Sequence, residues 1–462
     1  MVKIPSGTQP GVQAHKLSHK GSCIQGIEAT GAVQRRQTGI SGNQREKLAD
    51  YNAQLSEVFL LYIHHYLFLA FLLLKPFYFF PSGGIQISDL FFIASFILYL
   101  LIVKKGDKIT IDKADKWLLY FVTLVFGINL IYFLMYGKFG FMISSIYYMY
   151  NFLIVVVFRI YADDEGFLMI LEKVCKLNII IQVLIYVLKF GRFYSENRYM
   201  GTFNDPNQMA FFIFMSLITA FTISEIRNAK LHIAYHIMAV GLIFLTSSTG
   251  MFLGIAVFYT VQVLMKVAKV INHDYNVKVL LFIIASLIMG LLFSAKIDDY
   301  ITTFSQSSII VRVEQKLDKS SDNNGGSTNI QERGIDKLIL YPEKTIFGAG
   351  EGYYARFDKA YTDLEVHSTA LSIFFYYGIV PTMLFLIWCY KNIRILSVSN
   401  VAVILALFVE SLTLLNQRQP LFWMIFVILN ILANKKMADN EALSSEEMTN
   451  TAISPADYFQ KT

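Results

Sequence analysis

Charge is scarce in this chain. Asp, Glu, Lys and Arg together make up 16% of its 462 residues, while hydrophobic residues make up 55%. A soluble globular domain carries roughly 25% charged residues, so that class is excluded. Cysteine is nearly absent. Cys23, Cys175 and Cys389 are all there are, and the last two fall in or beside apolar runs, so no disulfide framework is implied. Metal-ligand spacing, a Walker loop, a nucleophile triad and an internal repeat are also not evident. The lack of a repeat weakens a transporter built from inverted halves.

What is present is apolar length. Mean hydropathy is +0.48, with 39 Phe and 27 Tyr. About a dozen apolar runs approach or exceed the ~18 residues that span a bilayer as helix. A β-barrel would show short alternating strands instead. The pattern predicts an all-α polytopic integral membrane protein of about 12 transmembrane helices. The spans are 57–74, 85–103, 117–135, 141–158, 168–188, 208–224, 231–246, 249–265, 278–295, 366–389, 400–415 and 420–434. The fifth is loaded at its start by Glu172, Lys173 and Lys176.

The organisation that follows is a polar, disordered cytoplasmic tail over 1–54 and helices 1–9 within 55–295. A large loop covers 296–365, helices 10–12 lie within 366–434, and a cytoplasmic tail covers 435–462. The net charge of +6 reads as topology, not nucleic-acid binding. Short connections rich in positive charge, such as Lys104, Lys105, Arg159, Arg227, Lys391 and Arg394, place both termini in the cytoplasm. The long loop then faces outward, as does the connection Lys189–Asn207, which holds Lys189, Arg192 and Arg198 against the usual bias. Apolar spacing at Ile309, Ile310, Val313 and Leu317, and again over Gly334–Tyr341, predicts two amphipathic helices on the membrane joined by an Asn/Gly turn.

Four constellations carry the chemistry-bearing residues. In RYMGTFNDPNQMA, Arg198 at the mouth of a bundle suits bidentate contact with a phosphate, and Asn207 is a candidate cap for the next span. The plainer reading is a surface arginine beside a helix cap. In NIQERGIDKLILYPEKTIFGAGEG, Arg333 opens an amphipathic stretch. Gly348, Gly350 and Gly352 there let the backbone pass close to a ligand or a helix, or simply mark a turn. In EVHSTALSIFFYYGIVP, His367 opens a span and could take a proton from a sugar hydroxyl. Glu365 would orient it only if the backbone is extended, and a bland interfacial histidine is the alternative. Glu410 lies inside the eleventh span, and Arg418 of the following NQRQP turn is its expected partner. Arg312 and Arg356 are lesser candidates in the long loop.

Together these pieces resemble the O-antigen polymerase and O-antigen ligase superfamily of bacterial envelope proteins, over roughly residues 57–434. The resemblance is carried by Arg198, Gly201 and Asn207, by Arg333 with Pro342, Gly348 and Gly350, and by His367 followed by Gly378 and Ile379. Many relatives have Asn directly after the histidine, where this chain has Ser368. The resemblance implies a cofactor-free, metal-independent glycosyltransferase at the periplasmic face of the bacterial inner membrane. Its donor and acceptor would be polyprenyl-diphosphate-linked glycans. His367, Arg198 and Arg333 would be catalytic. Asn207, Gly348, Gly350, Arg312, Arg356 and Arg418 would bind substrate.

The first expectation is a polymerase of O-antigen, capsule or exopolysaccharide repeat units, because the loose motif match and the Phe-, Tyr-, Ile- and Lys-rich composition resemble divergent polymerases. A ligase delivering the glycan to lipid A–core or protein is the alternative, and a lipid-linked oligosaccharide transporter the second. The expected partners are the lipid bilayer and a chain-length regulator, with no nucleic acid.

Overall fold

The computed structural model describes residues 62–80, 84–102, 111–195, 198–271, 329–393 and 398–452. The expected span 278–295, the helix over Ile309–Leu317, Arg312 and the tail 1–54 lie outside the described residues.

The described chain is all-α apart from one hairpin. Its larger helices are α1 (Tyr62–Leu74), α2 (Ile87–Ile102), α3 (Asp115–Tyr136), α4 (Gly140–Ala162), α5 (Glu165–Val187), α6 (Pro206–Ile226), α7 (Ile233–Leu245) and α8 (Thr249–Ile271). The hairpin strands β1 (Arg192–Ser195) and β2 (Arg198–Gly201) lie between α5 and α6. Three short helices follow in the long loop: α9 (Asn329–Glu332), α10 (Asp336–Leu340) and α11 (Lys344–Phe347). Then come α12 (Thr369–Tyr377), α13 (Ile379–Asn392), α14 (Val398–Thr413) and α15 (Pro420–Ala452).

Five of these segments, in α3, α4, α6, α8 and α15, are long and apolar enough to cross a membrane, which makes the chain a multi-pass membrane protein by length and composition. Shorter apolar helices are α1, most of α2, α7 and most of α14. α6 is the hub, since 89% of its apolar window is buried against 28% for α3. A helix that is apolar all round belongs either in a core or in lipid, and these two helices take one fate each. α6 starts cleanly because Asp205 accepts from the backbone N–H of Asn207 at 2.7 Å and Pro206 needs no donor partner. Asn207, the expected cap, supplies the capped N–H instead.

Two of the three charges that load α5, Glu172 and Lys176, are paired inside the fold, while Lys173 is exposed. Glu172 takes Ser224 at 2.8 Å and Arg227 at 2.9 Å from the end of α6, and also Lys176 one turn along its own helix. At the same end of the bundle Asp115 is clasped by Arg159 at 2.5 and 2.9 Å, and Trp388 donates to it at 3.0 Å. Arg159 also reaches Asn392 at 2.7 Å, so α3, α4 and α13 are tied together there.

The expected span 366–389 is corrected to two helices. The chain breaks at Gly378, with φ +78°, where an added Cβ would stand 2.4 Å from the carbonyl oxygen of Ile346. A break frees backbone groups that lipid cannot satisfy. Here the loop supplies them: Ala349 N–H donates to Phe375 C=O at 3.1 Å and Gly350 N–H to Tyr376 C=O at 2.7 Å. Residues 348–352 therefore dock between the half-helix and its neighbours, with Glu351 N–H on Asn129 Oδ1 of α3 at 2.9 Å.

Candidate functional site

The candidate residues gather at the end of the bundle opposite the Asp115–Arg159 pair. Arg333 follows α9, and His367 precedes α12. His367 N–H donates to Arg333 C=O at 2.9 Å, and Arg333 Nη2 returns a bond to His367 C=O at 2.5 Å. The same Nη2 meets Thr413 C=O at the end of α14. These acceptors are backbone carbonyls, and among the described residues no ion pair reaches Arg333. Burial pushes its guanidinium below its ordinary pKa, without approaching neutrality.

His367 is partly buried, and its ring takes no hydrogen bond among the described residues. Burial is the largest influence on it and lowers its pKa. Glu365 and Asp205 raise it, while Arg333 and Lys337 lower it. Asp205 thus stands within electrostatic reach of His367, which brings the start of α6 to the same place. Ser368 replaces the asparagine of the resemblance and acts as a cap. Its Oγ accepts from Leu371 N–H at 3.3 Å and donates to Ser411 C=O at 3.1 Å.

Glu365 does not orient His367 by contact. Its Oε2 accepts Arg418 Nη2 at 2.6 Å and Tyr354 Oη at 3.1 Å. Arg418 also donates to Glu351 Oε1 at 2.7 Å and stacks 5.6 Å over Tyr147. Its expected partner Glu410 is fully buried on α14 beside Gly254, with both carboxyl oxygens lacking a hydrogen bond among the described residues. Glu351 is the residue that sequence reasoning passed over. Its signal was an acid between two glycines, where a side chain has room to turn inward.

Arg198, on β2, donates to Thr246 C=O at 3.4 Å and to Asn207 Oδ1 at 3.3 Å, and lies 5.6 Å over Tyr194. Asn207 also accepts Ser248 Oγ at 2.8 Å. Asn207 therefore joins the hairpin to the turn between α7 and α8.

Gly348 and Gly350 touch neighbouring helices. Gly348 has φ +86°, and a Cβ there would meet Tyr376 C=O at 2.6 Å. Arg356 locks this turn by donating to Ala349 C=O and to Gly350 C=O, the latter at 2.6 Å. Its guanidinium lies 4.7 Å over Phe357, 4.8 Å over Tyr132 and 4.9 Å over Phe141. Cation–π contact of this kind holds a desolvated arginine. The structure thus brings Arg333, His367 and the Arg198–Asn207 segment to the same end of the bundle, with Asp205 within electrostatic reach of His367. It puts Arg418 in an ion triad and Arg356 in an aromatic box.

No protein-family model matches the chain, and no curated protein matches it.

Proposed function

We propose that this chain is a polysaccharide polymerase that joins polyprenyl-diphosphate-linked repeat units at the outer face of a bacterial inner membrane. The observation that carries this reading is Arg333. A half-buried guanidinium bonded to carbonyl oxygens is a cation whose charge is still to be met, and burying such a charge is costly until an anion arrives. It is held against a histidine that burial keeps neutral.

The chemistry is one displacement. The acceptor hydroxyl attacks the anomeric carbon, the new C–O bond forms, and the bond to the diphosphate oxygen breaks with its electron pair. His367 takes the hydroxyl proton, help that is typically worth about 10²–10⁴-fold. Arg333 and Arg198 balance the charge that grows on the leaving diphosphate. The imidazolium then returns its proton to solvent or product. A single displacement inverts the anomeric centre.

Surface glycolipids from a strain lacking the gene, resolved on a silver-stained gel, test this. A core bearing a single repeat with the ladder lost supports the polymerase. Bare core with long chains left on polyprenyl lipid means a ligase. An unchanged ladder removes O-antigen polymerisation and directs the same assay to capsule or exopolysaccharide.

A further inference from the structure

The hairpin between α5 and α6 carries an exposed aromatic face. All four residues of β1 are exposed. Phe190 is 77% exposed, Phe193 53% and Tyr194 63%. These rings continue, without a change of character, the exposed apolar surface of the last turn of α5, where Leu184, Val187 and Leu188 point outward. Lys189 and Arg192 are interleaved with them.

The hairpin cannot tuck this face inward, because the fold holds it from the other side. Tyr199 is buried beneath it, with Tyr186 at 5.0 Å and Phe193 at 5.2 Å between ring centroids. Arg192 Nη2 donates to Thr202 C=O at 3.0 Å and Phe203 C=O at 2.9 Å. Thr202 Oγ1 takes a bond from Gln182 of α5 at 2.9 Å and gives one to Pro76 C=O at 2.7 Å. A contiguous exposed apolar patch on a rigid support marks an interaction surface. Aromatic rings mixed with cations at the end of a span fit the headgroup level of a bilayer, where the ring is half in hydrocarbon and the charge meets phosphate.

We propose that Phe190, Phe193 and Tyr194 seat the hairpin in the membrane interface, and that this anchor fixes Arg198 at the depth of lipid phosphates. The link is direct: Tyr194 lies under the Arg198 guanidinium at 5.6 Å, and Arg198 stands on the paired strand. The occupant is the bilayer itself, because the patch continues onto exposed apolar residues of α5 and the hairpin leads directly into α6, which is long and apolar enough to cross a membrane. A lipid-linked diphosphate held in that leaflet would meet Arg198 without leaving the headgroup layer. That consequence rests on the transferase reading, whereas the anchor does not.

The test uses the full chain in lipid nanodiscs with Phe193→Trp, read as the difference from the parent protein and its three tryptophans. Phe190→Trp serves as the second site should the first variant fail to insert. The lipids are phosphatidylcholine with or without bromine high on the acyl chains, and iodide is the aqueous quencher. The anchor predicts that bromolipid at least halves the added emission while iodide leaves it nearly unchanged. Quenching by iodide alone would place the hairpin in water and overturn the proposal. Quenching by neither would mean that protein covers the patch and would overturn it equally. Transfer activity is not read, so the result stands whether or not the chain is a polymerase.

Discussion

Arg333 and His367 are bound to each other twice: His367 N–H to Arg333 C=O at 2.9 Å, and Arg333 Nη2 to His367 C=O at 2.5 Å. The two residues are 34 positions apart, and the closure fixes the guanidinium against the His367 backbone from which the imidazole extends. Neither can be moved without the other.

Arg333→Ala removes both the charge and the clasp. Polymer should disappear from the glycolipid gel while the membrane-inserted protein remains detectable by immunoblot. Arg333→Lys keeps the charge but loses the planar guanidinium, whose other nitrogens are left to meet a diphosphate while Nη2 holds the His367 and Thr413 carbonyls, so it should restore only a small part of the activity. Full-length polymer from Arg333→Ala would remove this residue from the site.

The pH dependence follows from the sign of the His367 shift. Burial lowers the pKa, so the ring stays neutral to a lower pH than a free histidine, whose value is about 6.5. A neutral ring is the one that accepts a proton. The acid limb of kcat/KM should therefore fall below the free-histidine value, and His367→Gln should abolish the limb along with most of the rate. The same shift links to stability. The preference for the neutral ring stabilises the fold above the free-histidine value and is lost as pH falls through the lowered one. An acid limb above the free-histidine value would contradict the burial seen here.

Arg418→Ala should act on stability first. It leaves Glu351 buried at 2% side-chain exposure without its cation, and Glu365 without its closest partner. Breaking a buried pair costs about 3–5 kcal/mol. Because the Arg418 side chain is itself 33% exposed, about 2–3 kcal/mol is expected after solvent screening. Thermal unfolding in detergent should show a clear fall in Tm, and Glu351→Gln with Arg418 intact a smaller one. No change in Tm would mean that the triad contributes little.

Gly378→Ala tests the broken helix. The backbone there has φ +78° and ψ −173°, a region open essentially to glycine, and the new Cβ would collide with the Ile346 carbonyl. Strain of this kind costs about 1–3 kcal/mol before the collision is counted. Yield of folded protein by size-exclusion chromatography should drop sharply. A normal yield would show that the loop over residues 346–350 can shift aside.

Much of the fold was legible because apolar length and charge placement act locally. The apolar runs placed most of the described helices to within a few residues, and the Asp–Pro start of α6 was visible as a turn, but α15 runs on to Ala452 through the polar stretch read as a tail from 435. The break at Gly378 was not, since the sequence on both sides is equally apolar and the reason for the break is a loop some thirty residues upstream. Asp205 beat Asn207 as the cap because the proline fixes the first helical position at residue 206, two residues earlier than an Asn207 cap would. Arg418 was assigned to the nearest acid in sequence, Glu410, and instead reached acids 53 and 67 positions away. Spacing along one helix cannot reveal a pairing that depends on how the long loop folds back. The same limit hid Glu351, whose role depends on that docking.

Purified chain in nanodiscs, supplied with a synthetic polyprenyl-diphosphate-linked repeat unit and followed by mass spectrometry, tests the central claim most directly. The account predicts a lipid-linked product longer by one repeat, one polyprenyl diphosphate released per bond formed, and neither with Arg333→Ala. Intact donor after incubation with well-folded parent protein, or equal product from Arg333→Ala, would contradict it.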